Sequence, residues 1–219
     1  MIRIPHPSLR EPHFFLNEQD FKNALQLLYL IYNLGKFRGY IGVTKIQKLS
    51  FLIEYRQKIN HIDGLNFKWF RWEFGPMSKE IYDLLRILRE NEIVISTHKG
   101  IVLTQKGIKL VEKFTPIIKE NSQAFEIIDQ IVEEFGRRNA KFLKNYIYTS
   151  FSLGSTKLKD VDQGVDLIMP KEEEMKEIKI SDDWLETLEI YLDRELYESL
   201  NRAIESARTK PSLRYEGLV

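Results

Sequence analysis

Apolar side chains recur along this chain at helical spacing, in stretches separated by short segments rich in glycine, proline and charge. Phe21, Leu25, Leu28 and Tyr32 follow at i, i+4, i+7 and i+11, which lays one apolar stripe along a helix. Asn17 is an N-cap residue for it, Asp20 suits its first turn, and Gly35 ends it. Gly39 and Gly42 mark a loop, after which Thr44 is the expected cap of a second helix carrying Ile46, Leu49, Leu52 and Ile53. His61 to Gly64 reads as a turn. From Leu65 to Phe74 the period changes: Phe67, Trp69, Arg71 and Glu73 alternate with Lys68, Phe70, Trp72 and Phe74, and the aromatic density predicts a strand. Gly75-Pro76 breaks that strand. Pro76 suits the start of a third helix, with Ser78 as the competing N-cap, and the helix runs to about Asn91 with Ile81, Leu84, Leu85 and Leu88 on its core side.

Two short β-prone runs follow, Ile93–Thr97 and Ile101–Thr104, joined by a turn at His98-Lys99-Gly100. Thr104 caps a helix through Val111 and Phe114 toward Pro116. Residues 119–153 read as helical with a break near Gly136, and Phe125, Ile128, Val132 and Phe135 form one stripe. Residues 154–180, with Gly154, Gly164, Pro170 and Glu172-Glu173-Glu174, read as a linker. Ser181 or Asp182 caps a helix through Trp184, Leu188 and Tyr191. Asp193 restarts it, with Leu196, Leu200, Ala203 and Ile204 apolar until Pro211.

The expected organisation is an extended arm at 1–16, a domain at 17–118, a helical extension at 119–153, the linker at 154–180 and acidic helices at 181–219. Helix, helix, strand, helix, β-hairpin, helix is the order of a winged-helix core. The expected fold is therefore mainly α, a winged helix whose wing is the hairpin, with a C-terminal helical extension. In that order the helix before the hairpin is the recognition helix. Lys79, Tyr82, Arg86 and Arg89 lie off its apolar face, and Lys99 stands at the wing tip, where each could reach DNA phosphates or base edges. Glu80, Asp83 and Glu90 on or near the same surface oppose this.

Charge sharpens the picture. Residues 1–153 carry 23 Lys/Arg and 16 Asp/Glu, whereas residues 154–219 carry 10 and 16, so a basic body precedes an acidic tail within a net charge of +1. The tail is either a solvated appendage or a competitor for the body's anionic partner. No cysteine is present, which excludes disulfides, thiol nucleophiles and cysteine-ligated metal and is compatible with a reducing cytoplasm. The many Ile, Lys and Glu would also suit a thermophile. No apolar run approaches the length of a membrane span, and Met1 to Pro7 has no signal-peptide character.

Two stretches resemble a known family. Lys45-Ile-Gln-Lys-Leu-Ser-Phe-Leu is similar to the "KLQKLLYF"-like helix of the Panacea (SocA-like) antitoxin domain. Phe70-Arg-Trp72-Glu-Phe74-Gly75-Pro76-Met77, then Ile81-Tyr82-Asp-Leu84-Leu85, resembles its "W-x-Y/F-G-P" segment and the helix after it. Leu103-Thr-Gln-Lys-Gly107 looks like the "LT-x-K-G" that follows the wing in many winged-helix regulators. The resemblance spans about residues 20–118. It implies a non-catalytic, helical domain that binds or neutralises a partner protein, often in a toxin–antitoxin unit; it does not cover the first residues or the acidic C-terminus.

Two functions follow from different classes. One is a DNA-binding transcriptional regulator. The other is an antitoxin-like protein-binding module, with Trp69, Trp72, Trp184, Leu188, Leu196 and Leu200 as partner contacts and a homodimer compatible with either. The aromatic block Trp69, Phe70, Trp72 and Phe74 reads as core, as a protein-binding surface, or as a stacking platform for single-stranded nucleic acid. The segment 181–219, ending in Arg208, Lys210, Arg214 and Tyr215, would dock on the body or clamp a partner through its apolar face. Catalysis finds no support. His6, His13, His61 and His98 lack metal-ligand spacing, and Ser152 to Lys157 lacks the order of a phosphate-binding loop. Glu172–Glu174 reads as a solvated face and Asp182-Asp183 as a helix start, and no nucleophile, base and oxyanion donors assemble. No enzyme activity, cofactor or metal is expected.

Overall fold

The computed structural model describes residues 17–37, 39–167, 169–170 and 174–209. The arm at 1–16, the residues beyond 209 and most of the Glu172–Glu174 run lie outside them. The order is α1 (Glu18–Gly35), α2 (Val43–Ile59), β1 (Ile62–Asp63), β2 (Trp69–Trp72), β3 (Gly75–Met77), α3 (Lys79–Glu90), β4 (Val94–Thr97) and β5 (Gly100–Leu103). Then come α4 (Gln105–Lys113), α5 (Thr115–Glu120), α6 (Ser122–Phe135), α7 (Ala140–Ser150), β6 (Ser152–Leu153), β7 (Thr156–Lys157), β8 (Asp166–Leu167), β9 (Lys176–Glu177), α8 (Asp182–Leu192) and α9 (Arg194–Thr209). The protein is mainly helical with a few small sheets.

The local signals act largely as expected. Asn17 and Asp20 form a reciprocal capping box at the start of α1, with bonds of 2.9 and 3.1 Å. Helix α2 starts earlier than expected: Gly42, not Thr44, is its cap, the Gly42 carbonyl accepts from Lys45 and Ile46, and Thr44 lies within the first turn. Pro76 opens no helix. It sits in β3, opposite Arg71 in an edge strand where its missing N–H is tolerated, and Ser78 precedes α3. The break near Gly136 separates α6 from α7.

α1 and α2 form the centre: both pack on α6, α7 packs on α2, and α4 and α8 pack on α1. Their inward faces share one apolar core that includes Leu28, Ile31, Ile46, Leu49, Ile53 and Phe125. The β4–β5 hairpin turns at His98-Lys99, as the sequence implies, and gains a third partner: Ile41, between α1 and α2, exchanges backbone bonds of 2.9 and 2.8 Å with Ile101. Gly100 permits that approach, since with φ at +129° an added Cβ would stand 2.6 Å from the Ile41 carbonyl oxygen.

The Leu103–Gly107 motif fastens this hairpin to α4. The Thr104 hydroxyl accepts from the Gly107 N–H at 3.1 Å, capping α4, and donates to the Glu92 carbonyl at 2.7 Å. Lys106 donates to the Asn91 carbonyl at 3.0 Å. Gly107 leaves room for the Ile93 carbonyl oxygen, which an added Cβ would meet at 2.3 Å.

The strand expected over 65–74 is a ladder only at 69–72. Before it, four successive N–H groups bond to side chains instead. Leu65 donates to Gln57 at 2.8 Å, Asn66 to Asn23 at 3.0 Å, Phe67 to Glu54 at 3.0 Å and Lys68 to Glu80 at 2.7 Å. These acceptors sit on α1, α2 and α3, so the alternating pattern is real but the pairing belongs to helices. Helix α2 supplies the most. Besides Gln57 and Glu54, Gln47 bonds both the N–H (2.9 Å) and the carbonyl (2.8 Å) of Ser78, Lys48 donates to the Pro76 carbonyl at 2.7 Å, and Lys45 donates to the Gly136 carbonyl. The motif Lys45-Ile-Gln-Lys is thus a set of buried staples on the main chain.

The segment 154–180 is no linker. β8 extends the β2–β3 sheet, β9 pairs with β1, and Leu158, Val161, Leu167 and Ile178 are buried in the common core. Asn121 holds its end, bonding the N–H and the carbonyl of Lys179 at 2.9 Å each. Its glycines and charges mask a few well-spaced apolar anchors.

Two variants test the hairpin clamp. Gly107→Ala should destabilise by about 1–3 kcal/mol, because the clash is with backbone and outweighs the helical gain of alanine. Gly35→Ala, which meets nothing within 4 Å, should be neutral or stabilising. Thermal melts compare them.

A pH test follows from α2. Burial pushes the Glu54 carboxyl up to about 8, although bonds from Trp69 and Phe67 oppose the shift. Burial, with Lys144 nearby, pulls the Lys48 ammonium down to about 7. A raised carboxyl stabilises fully below its unfolded value and loses that contribution as pH rises through the folded value. The Glu54 share therefore falls from about pH 4.5 to 8, at no more than about 1.4 kcal/mol per unit. A lowered ammonium acts oppositely, so the Lys48 share rises from about pH 7 to 10.5. Denaturant titrations of Glu54→Gln should lose the falling limb, and those of Lys48→Met the rising one; unchanged limbs would refute these assignments.

Candidate functional site

Helix α3 buries Ile81, Leu84, Leu85, Ile87 and Leu88 and turns Lys79, Tyr82 and Arg89 to solvent, with Arg86 half-buried among them. Spacings of three, four and three residues bring these four onto one helical face. The face is not purely basic. Arg86 pairs with Glu90 at 3.3 Å, Asp83 is exposed, and the Glu80 carboxylate is occupied by the Lys68 N–H. Lys99 is exposed in the β4–β5 turn, where its N–H donates to the Thr97 hydroxyl at 3.1 Å.

A second surface adjoins the first at the start of α3. The Lys79 ammonium lies 5.9 Å from the centre of the Phe70 ring, and Phe70 meets Trp72 edge-on at 6.0 Å. At the β2–β3 turn Trp72 is 45% and Phe74 49% exposed. The opposite side of β2 turns toward α7. There the Arg71 guanidinium lies over the Tyr148 ring at 5.3 Å, and Lys144 stands 5.0 Å from the Phe74 ring and 5.5 Å from that of Tyr148. The Tyr148 hydroxyl donates to the Glu73 carbonyl at 3.1 Å, which ties the turn to α7. Burial raises its phenol above the usual range, with Arg71 opposing.

None of the ion pairs among the described residues involves Lys48, Arg71 or Lys144. Arg71 donates once to the Trp72 carbonyl at 2.9 Å, and its buried Nε has no hydrogen-bond partner. The sequence signal for this surface is the run 137–159, which holds Arg137, Arg138, Lys141, Lys144, Lys157 and Lys159 and no acidic residue. Averaging charge over 1–153 hid it.

The proposed partner contacts divide. Trp69 is core: it is 3% exposed, meets Phe51 and Phe67 edge-on, and its indole N–H donates to Glu54 at 2.9 Å. Leu188 is likewise buried at 2%, and Trp184 is half-buried against Phe114 with ring centres 5.4 Å apart. These three cover the body rather than wait for a partner. Trp72 is exposed, as are Leu196, Leu200 and Ile204 along α9. Strand alternation puts Trp69 and Trp72 on opposite sides but does not say which side is buried, because the side of β2 that faces α2 is chosen by tertiary packing.

The acidic helices meet the body mainly through aromatic rings. Lys106 lies 3.8 Å from the Tyr197 ring centre and 5.9 Å from that of Tyr191, Lys113 lies 5.8 Å from Tyr191, and Arg194 pairs with Glu92 at 3.1 Å. Among the described residues no three His, Asp or Glu side chains cluster as metal ligands would, and no helix is long and apolar enough to cross a membrane. Comparison with protein-family models, curated proteins and solved structures yields no match.

The tail should divide under truncation. A chain ending at Asp193 should keep its fold and nearly its full stability, because exposed pairs such as Arg194–Glu92 contribute little. A chain ending at Ile180 also loses Trp184 and Leu188 and should be weaker by several kcal/mol, at about 1.5–3 kcal/mol for each large apolar side chain uncovered. Equal melting of the two truncations would exclude α8 from the core.

Proposed function

We propose that this protein is a non-catalytic winged-helix regulator of transcription that binds duplex DNA, with α3 entering the major groove and the β4–β5 hairpin as its wing. One observation carries the reading: α3 leads directly into β4 and β5, Ile41 bridges to β5 from between α1 and α2, and the solvent face of α3 carries Lys79, Tyr82, Arg86 and Arg89. Lys99 at the hairpin turn then supplies a contact to a flanking phosphate. The Arg86–Glu90 pair is compatible with this, since an exposed pair is weak and a phosphate competes for the guanidinium.

A second reading, an antitoxin-like module that holds a partner protein, is favoured by the exposed apolar stripe Leu196, Leu200 and Ile204 on α9. It predicts partner binding without DNA and loss of that binding when α9 is removed.

The test is a salt titration of binding to duplex DNA from the gene's own upstream region. The triple variant Lys79→Gln, Arg86→Gln, Lys99→Gln should bind more weakly at low salt. Its slope of log affinity against log salt should be shallower by about 0.9 for each phosphate no longer neutralised. An unchanged slope would remove DNA from this face.

A further inference from the structure

We propose that the surface formed by α7 and the β2–β3 turn is a separate binding site for single-stranded nucleic acid, its phosphates held by Arg71, Lys141 and Lys144 and its bases stacked on Trp72 and Phe74. The site does not depend on the α3 reading.

Three features that rarely coincide by accident meet here. The first is unneutralised positive charge. Lys144 and Arg71 flank the Tyr148 ring, and neither they nor Lys48 joins any ion pair among the described residues. The outward face of α7 adds Lys141, Asn145 and Phe142 and no carboxylate. Lys48 contributes from beneath. It is buried and bonded to the Pro76 carbonyl, and burial first and Lys144 second hold its ammonium down, so an anion lying over this region would favour its charged form. Glu73 in the turn and Asp166, opposite Phe70 in the sheet register, are the nearby carboxylates; they border the cationic strip rather than interrupt α7.

The second feature is exposed aromatic surface. Trp72 and Phe74 flank the turn with about half of each side chain in water, although the same strand buries Trp69 completely enough to show that burial was available. Phe74 stands beside the Lys144 ammonium, and Trp72, on the other face of β2, meets the Phe70 ring that Lys79 overlies, so a single strand crossing the turn would meet a ring and a cation on either side. The third is rigidity. Tyr148 is hydrogen-bonded to the turn, and β8 braces β2 from its other edge. A duplex would offer its phosphates but keep its bases stacked inside, leaving Trp72 and Phe74 unused, so the rings favour a single strand. A protein partner would explain the rings but needs carboxylates for the strip of cations.

The experiment titrates the full chain into fluorescein-labelled oligothymidylate, followed by anisotropy at low salt, with a labelled duplex in parallel. Oligothymidylate should bind with an affinity that falls as salt rises. Trp72→Ala and Phe74→Ala should each weaken it on the order of tenfold, the scale of one missing base stack. Trp72→Phe should restore most of the affinity, which a merely electrostatic site would not require. Lys141→Gln with Lys144→Gln should reduce both affinity and salt slope. Because these side chains are exposed or half-buried, an unchanged circular dichroism melt shows that folding is intact. An Arg86→Gln, Lys99→Gln double variant, which leaves Lys79 beside Phe70 in place, separates the two proposals: it should weaken duplex binding and keep oligothymidylate binding. The proposal is overturned if oligothymidylate does not bind at low salt, if Trp72→Ala binds as the natural chain does, or if the Arg86, Lys99 double variant abolishes single-strand binding. The first of these outcomes would leave a protein partner as the occupant of the two rings.

Discussion

Everything between α2 and α3 depends on polar side chains buried inside the helical core. The stretch 64–78 has too few strand partners to satisfy its own backbone, and a buried N–H without a partner costs about 1–3 kcal/mol. Glu54, Gln57, Gln47 and Lys48 of α2, with Asn23 of α1, meet that demand directly on the main chain of residues 65, 66, 67, 76 and 78. A helix with so many buried polar groups would be a poor element by itself. It is stable here because Glu54, Gln57, Gln47 and Lys48 each bond main-chain groups outside the helix. The tension shows in the chemistry: a glutamate held up to about 8 and a lysine held down to about 7 are both stretched toward their neutral forms by the same burial.

This explains what the sequence could and could not disclose. Helices with a one-sided apolar stripe, such as α1, α3 and α6, were legible from spacing, and the capping residues Asn17 and Thr104 located two starts closely. The hairpin turn was legible because Gly100 must be glycine. The role of α2 was not legible, since periodicity treats lysine and glutamine as solvent-facing. The strand at 65–68 was overextended for the same reason: alternation reports which side chains face inward but not what the backbone pairs with. Residues 154–180 read as a linker because Leu158, Val161, Leu167 and Ile178 are too sparse to form a pattern. Leu167 and Ile178 take their meaning from strands paired with β2 and β1, far away in sequence.

The candidate site was half legible. The basic residues of α3 share a face, as their spacing implies, yet Glu90 and Asp83 share it too. The stronger concentration of charge lies on α7 and was diluted by averaging over a long segment. The aromatic block was visible as a whole. Its division into buried Trp69 and exposed Trp72 required knowing that Glu54 receives the Trp69 indole. The acidic tail divides similarly: α8 is held by Trp184 and Leu188, while α9 keeps its apolar stripe in water and touches the body through Arg194 and Tyr197.

The buried staples and the exposed surface are parts of one design. A turn carrying Trp72 and Phe74 would ordinarily collapse its rings onto the nearest apolar surface, since each gains by leaving water. It is prevented from doing so by attachments on both sides. Lys48 and Gln47 hold Pro76 and Ser78 just after the turn, and Tyr148 holds Glu73 within it. Gly75, at φ of +97°, lets the backbone pass close over Lys48 and Tyr148, so the turn lies against α7 without a side chain between. The conformational cost of presenting the rings is thus met in folding and not at each binding event, which is where rigid aromatic anchors gain affinity. The polar residues that make α2 illegible as a sequence pattern are therefore what keep the candidate surface open.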